Sequence, residues 1–271
     1  MKIEPIKCKT ALSQSKLPGL RYSINPYLGC AHGCLYCYSP AVLGDEELAA
    51  SWGKVVYPKE NIVEVLAREV KKKPRGVVGI STVTDPYQPL EEKLGLTRRC
   101  AEILLANGFH VSIQTKSKLV LRDIDLLRPE NSDVGVTITT MNRELAKNLE
   151  PGSSSPDERA GVLREFSAEG VETWLFLGPI IPEVNDDEIG LREVVSVAAE
   201  TGSKVIYDKL NLKRWVLHRL SNFLKMERPE LIESLPSLVA PGSKRWEEIS
   251  ARVEEICRSL GVKCEPAFAS R

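Results

Sequence analysis

No apolar run in this 271-residue chain approaches the roughly 20 residues that a membrane-spanning helix needs, so no membrane association is expected. Residues 1–15 mix charges with single apolar side chains and lack the apolar core of a signal peptide, which makes the cytoplasm the expected compartment. An excess of one charge is missing as well. The 37 basic and 37 acidic side chains cancel, leaving no overall field for nucleic acid and only a local basic face as a means of binding it. There is no internal repeat, no low-complexity tract and no long linker. A length of this order suits a single α/β barrel of about 250 residues as well as two domains of about 150. A disulfide framework is poorly supported, because the seven cysteines are spread over a long chain with no secretory signal.

Short β-branched runs alternate with longer helical patterns, as in βα units that build a parallel sheet. Six strands are expected: 22–27, 77–83, 110–115, 134–140, 173–177 and 204–210. Several are nearly continuous apolar runs, as strands covered on both faces should be. Helices are expected over 61–72, 97–106, 156–169, 188–200 and 245–260. Glycines follow three of them, at Gly108 after Asn107, Gly170 and Gly202, where a left-handed cap ends a helix. The Lys71-Lys72-Lys73 run reads as a solvated helix end. After the sixth strand the pattern is purely helical. The expected organisation is an N-terminal extension over 1–20, a partial (β/α)6 barrel over 21–212, and a helical C-terminal extension over 213–271 packed on the barrel.

Three cysteines crowd together on the loop after the first strand, in Cys30-Ala-His-Gly-Cys34-Leu-Tyr-Cys37. Ligands gather on such loops at the C-terminal face of parallel β/α folds. A 4Fe-4S cluster ordinarily takes four cysteines, one per iron, so three local thiolates leave one iron open to substrate. Gly29 and Gly33 let the backbone fold closely around an inorganic core. A zinc site completed by His32 or a distant cysteine is the alternative. It is weaker, because zinc sites usually pair Cys-x2-Cys or Cys/His elements and no second pair exists here. Cys8, Cys100, Cys257 and Cys264 read as small buried or incidental residues.

This motif closely resembles that of the radical S-adenosylmethionine enzymes, Cys-x3-Cys-x-aromatic-Cys, with Tyr36 in the aromatic position. The resemblance implies a 4Fe-4S cluster on Cys30, Cys34 and Cys37, and S-adenosyl-L-methionine chelated through its methionine end and cleaved reductively to a 5′-deoxyadenosyl radical. It also implies an external electron donor of the flavodoxin or ferredoxin type. Beyond the cysteines, Ser81-Thr-Val-Thr-Asp-Pro-Tyr-Gln-Pro-Leu-Glu91, Gln114-Thr-Lys-Ser117, Leu149-Glu-Pro151 with Arg159, and Gly178-Pro-Ile-Ile-Pro-Glu-Val-Asn-Asp186 are similar to the spore photoproduct lyase-like branch.

On that resemblance, Thr82, Thr84 and Asp85 would accept from the methionine amino group, and Lys116 would pair with its carboxylate. Thr137 and Thr139 would face the ribose, Pro179 and Ile181 the adenine, and Arg159 would be either a cofactor ligand or a surface ion pair with Glu150 or Asp157. The lyases carry a hydrogen-donating cysteine just before the Ser/Thr-Asp pair, and that position here is Val83, which puts lesion repair in doubt. The segment 204–219 interleaves Lys204, Lys209, Lys213, Arg214, His218 and Arg219 with Tyr207 and Trp215. It reads as a strand and helix with solvated cations, nucleic-acid binding being the alternative. The expected function is a radical S-adenosylmethionine enzyme of unidentified substrate. A DNA photoproduct lyase, or a noncatalytic iron–sulfur or zinc protein, are the alternatives.

Overall fold

A computed structural model describes residues 1–268. The strands are β1 (Lys2–Ile3), β2 (Leu12–Gln14), β3 (Tyr22–Ile24), β4 (Tyr27–Leu28), β5 (Val55–Pro58), β6 (Val77–Ile80), β7 (His110–Thr115), β8 (Ser132–Thr137), β9 (Glu172–Ile180), β10 (Lys204–Lys209) and β11 (Cys264–Pro266). Eight of them form one sheet in the order β11-β10-β9-β8-β7-β6-β3-β2. Neighbours from β3 through β11 pair in parallel, and β2 alone runs antiparallel, against β3. The six expected strands are thus β3 and β6 to β10, side by side in chain order, as a β/α barrel requires.

Four expectations need correction. The segment after β10 is not purely helical: Cys264–Pro266 returns as β11 and extends the parallel sheet along β10. The first 20 residues are not simply an extension, since β2 forms the other edge of that sheet and β1 belongs to a second sheet ordered β1-β5-β4. The expected 22–27 strand is split in two, because after Ile24 the chain leaves the barrel and Tyr27–Leu28 pairs with β5. The expected 77–83 strand also stops early, at Ile80, where Ser81 takes a φ of 63° that no extended strand can continue.

Burial alternates along β7. Val111, Ile113 and Thr115 are buried while His110, Ser112 and Gln114 are half-buried. Val111 and Ile113 face the helices outside the barrel, Ser112 and Gln114 face an open lumen, and Thr115 at the strand's end borders the lumen's mouth beside Asp85. The pattern repeats on β9, where Leu175 and Leu177 are fully buried and Trp174 and Phe176 line the lumen. These strands are therefore covered by protein on one face only, and the lumen face is a cavity wall. Helices Leu96–Ala106, Pro156–Ala168 and Glu188–Thr201 pack outside, the second opened by a full capping box between Ser155 and Glu158. The helix expected over 61–72 is shorter, Ile62–Glu69. Its basic end is not wholly solvated, because Lys73 Nζ donates to the Leu12 carbonyl and lies 5.7 Å from the Tyr22 ring centroid.

The C-terminal helices are Val216–Glu227, Leu231–Leu238 and Lys244–Ser259. The last buries Ile249, Val253 and Ile256 against the barrel. The first two build a separate apolar cluster in which Val216, Leu220 and Leu224 pack with Cys34, Tyr36 and Leu149. That cluster ties the C-terminal segment to the cysteine loop. No helix among the described residues is long and apolar enough to cross a membrane.

Candidate functional site

A cavity of about 270 Å³ opens at the C-terminal ends of the parallel strands and is lined by Cys30, Cys34 and Cys37 together. All three are free thiols, the first two buried and the third half-buried. Burial pushes the Cys34 thiol up to about 12, and burial with the nearby Asp85 carboxylate pushes Cys30 up as well. Thiols in such a place ionise when a metal takes the proton's position. Among the described residues, no three His, Cys, Asp or Glu side chains are grouped closely enough to hold a single metal ion. The donor set instead fits a polynuclear core, which can offer each thiolate a different metal atom.

The loop carrying these thiols is held from four sides. Buried Gln88 accepts from Ala31 N at 2.9 Å and donates to the Gly29 carbonyl at 3.3 Å. At Gly29, with φ of 83°, a Cβ would stand 2.6 Å from the Val55 carbonyl, so only glycine lets the loop leave β4 against β5. Gly152 lies so close that a Cβ would meet the Ala31 carbonyl at 2.5 Å, and its N–H donates to the His32 carbonyl at 3.0 Å. From the C-terminal helix, Arg219 donates to the carbonyls of Leu35 and Cys37.

Charge is concentrated at the ends of β6 to β8. Asp85 Oδ1 accepts from Tyr87 N at 2.9 Å and Thr115 Oγ1 at 2.7 Å; Oδ2 accepts from Lys116 N at 2.8 Å. His32 Nδ1 stands 3.3 Å from Oδ2 but is not aligned for a hydrogen bond. Burial opposes ionisation of Asp85, yet His32, Lys116 and the Thr115 hydroxyl bring its pKa down to about 2. Lys116 has its own carboxylate and thiol neighbours. Although desolvation opposes its charge, Cys34, Glu150 and Asp85 raise its pKa, and its Nζ lies 5.9 Å from the Tyr36 ring centroid. Glu150 accepts from the Tyr36 hydroxyl and from Arg159 Nη2.

Tyr36, Thr82, Thr84, Asp85, Lys116, Thr137 and Pro179 all line the cavity, with Val83 among them. Three of the expected cofactor contacts do not. Thr139 bonds to Glu150 Oε1 at 3.3 Å, behind the cavity wall. Ile181 packs in the apolar cluster with Leu149 and Leu210. Arg159 does not line the cavity, and its pair is not on the surface: it is fully buried, bonded to Glu150 and to the Thr137 carbonyl at 2.9 Å. Asp85 lines the cavity but has little acceptor capacity left for a ligand. Thr84 Oγ1 and Ser81 Oγ are buried there without partners. The basic segment 204–219 does not form one face. Lys204 pairs with Glu172, Arg214 with Glu46, Lys209 lies over Trp246, and Arg219 turns inward.

Sequence reading missed Gln88, Glu150 and Arg219 as holders of the loop. Gln88 and Glu150 stood inside quoted motifs; Arg219 had no local signal. Asp208, at the end of β10, is a further cavity residue, with a pKa raised to about 6 by burial.

The radical SAM superfamily model matches residues 24–192. An uncharacterised protein of Methanocaldococcus jannaschii is 32% identical over 241 residues, covering 89% of this chain and 89% of that one. A radical SAM Nalpha-GlyT isomerase of Pseudomonas phage M6 is 26% identical over 189 residues, covering 68% of this chain and 38% of its own. Among solved structures, a doubly substituted spore photoproduct lyase with bound AdoMet and dinucleoside spore photoproduct superimposes with a TM-score of 0.72 at 15% identity, covering 98% of this chain and 81% of that one. With three cysteines spaced and gathered at the mouth of a parallel β/α barrel, and a family match over most of that barrel, the chain belongs to the radical SAM superfamily.

Proposed function

We propose that this radical SAM enzyme holds a 4Fe-4S cluster on Cys30, Cys34 and Cys37, cleaves S-adenosylmethionine reductively, and turns the 5′-deoxyadenosyl radical on an organic substrate in the barrel lumen. The observation that carries this reading is a single cavity shared by three free thiols and the Lys116 ammonium. When bound, the cluster supplies an electron for the sulfonium and an open iron for the methionine end of the cofactor. An external flavodoxin- or ferredoxin-like protein is the proposed source of that electron.

The chain's own residues bind and orient. Lys116 offers a point cation to the methionine carboxylate. The Thr84 hydroxyl, buried without a partner, accepts from the methionine amino group. Asp85 acts one step back, fixing the Lys116 backbone and the Thr115 hydroxyl. Thr137 and Pro179 border the adenosine side, while Trp174 and Phe176 line the lumen beyond and keep water from the radical.

Anaerobic reconstitution with iron and sulfide, followed by reduction in the presence of S-adenosylmethionine, tests the reading. Release of 5′-deoxyadenosine and methionine supports it. Loading with no cleavage would leave a noncatalytic iron–sulfur protein.

A DNA-lesion lyase is the second reading, favoured by the structural neighbour, a spore photoproduct lyase with bound dinucleoside spore photoproduct. Val83 lines the cavity, and among the described residues the only cysteines lining it are the three proposed ligands, so a thiol to return hydrogen to a product radical is missing there. Clean thymine recovery from a lesion-containing dinucleotide by the unaltered protein would restore this reading to first place.

A further inference from the structure

Arg219 sits on the helix Val216–Glu227, 182 residues beyond Cys37, yet its guanidinium reaches the back of the cysteine loop. Nε donates to the Leu35 carbonyl at 3.3 Å and Nη2 to the Cys37 carbonyl. These two groups share one edge of a rigid planar fork, so Nη1 points away from both carbonyls. Nη1 is buried and has no hydrogen-bond partner among the described residues.

A buried N–H on a cation is costly to leave without an acceptor. The surrounding helix offers none, since its inward side chains are the apolar Val216, Leu220 and Leu224. Burial lowers the pKa of Arg219, and what would offset that cost is negative charge on the neighbouring Cys37 and Cys34 sulfurs. The free thiols do not accept from Nη1; a metal-bound thiolate or cluster sulfide is the stronger acceptor that a bound cluster would bring to the loop whose Cys37 carbonyl Nη2 already holds.

We propose that Arg219 is a positioning residue for the iron–sulfur centre: its Nε and Nη2 fix the Leu35–Cys37 backbone, while Nη1 donates to a cysteine or cluster sulfur and raises the reduction potential. The inference rests on the reading of Cys30, Cys34 and Cys37 as cluster ligands. Hydrogen bonds and positive charge beside cluster sulfurs stabilise the electron-rich reduced state, which is how a protein tunes such a centre. A helix far along the chain would thereby set how readily the barrel's cluster accepts its electron.

The test is an anaerobic redox titration of reconstituted wild type, Arg219→Lys and Arg219→Met, with iron and sulfide content measured on each. Arg252→Met is the control, since Arg252 bonds to the Asp186 carbonyl at 3.0 Å, outside the cysteine loop. The midpoint potential should become more negative in Arg219→Met, lie between the two in Arg219→Lys, and stay at the wild-type value in Arg252→Met. A fully loaded Arg219→Met protein with the wild-type potential overturns the inference. Should Arg219→Met fail to retain its cluster, Arg219→Lys decides: a potential below wild type supports the inference, and one at or above it overturns it. A wild type that takes up no iron and sulfide fails at the cluster reading itself, which separates the two failures.

Discussion

Glu150 holds the Tyr36 hydroxyl on one oxygen and the Arg159 guanidinium on the other, and neither acid nor base is more than 1% exposed. Tyr36 lies between two of the three thiols, so this carboxylate ties the cysteine loop to the helix Pro156–Ala168. Removing one member of a buried pair leaves an uncompensated charge and costs about 3–5 kcal/mol. Arg159→Leu should therefore lose about that much in urea denaturation under anaerobic conditions. Tyr36→Phe, which removes only the hydroxyl, should lose roughly 1–3 kcal/mol. A loss below about 1 kcal/mol for Arg159→Leu would show that the pair does not hold the loop.

Alanine at Cys30, Cys34 or Cys37 should abolish iron and sulfide uptake, because each lost thiolate removes a third of the protein ligands. Cys100 and Cys257 are fully buried in the apolar core, and Cys8 and Cys264 lie outside the cavity. Alanine at any of these four should leave uptake at the wild-type level. A full cluster surviving Cys34→Ala, or one lost with Cys100→Ala, contradicts the assignment.

What could be read from sequence was local. Cys30, Cys34 and Cys37 declare themselves by spacing on one loop, and the strands by apolar runs that end at turn residues. β11 could not be read, because Cys264-Glu265-Pro266 has neither the length nor the pattern of a strand and pairs only because β10 has a free edge. The split of 22–27 was hidden for a similar reason: its second half turns to a partner, β5, that lies some thirty residues later. Arg159 was half legible. Its partner Glu150 was named as a candidate, but a sequence does not show that both would be sealed from water. Arg219 was read as one cation of a basic segment, since nothing near it announces a contact with a loop 182 residues away.

Lys116 and Asp85 should separate by the kind of defect they produce. Lys116→Ala removes the cavity cation beside the cysteine loop, leaving Lys209 on the β10 side, and loss of a charge-assisted contact costs roughly 1.5–3 kcal/mol, or about ten- to a hundredfold in affinity. Equilibrium binding of S-adenosylmethionine to the reconstituted variant should show that loss with the cluster intact. Asp85→Asn keeps the side chain's shape but gives up charge beside His32 and acceptor capacity toward Tyr87 N, Thr115 and Lys116 N. Its main effect should be on stability, with cofactor affinity falling less than in Lys116→Ala. The reverse ranking would make Asp85 the direct ligand.

Asp208 gives a pH dependence of opposite sign to the usual carboxylate. Burial raises its pKa from 3.8 to about 6 against the opposing Lys209 N–H and charge, so the folded state favours the protonated acid. Its contribution to stability is complete below pH 3.8 and is lost as pH rises through about 6. A difference of about 2 pH units corresponds to nearly 3 kcal/mol, and partial opening to the cavity reduces this to roughly 1–2 kcal/mol. Asp208→Asn, which mimics the neutral acid, should match the wild type at about pH 4 and be the more stable protein at about pH 7.5. Urea midpoints at the two pH values measure this. An asparagine variant less stable than wild type at the higher pH would mean that the ionised carboxylate has a stabilising partner in the fold.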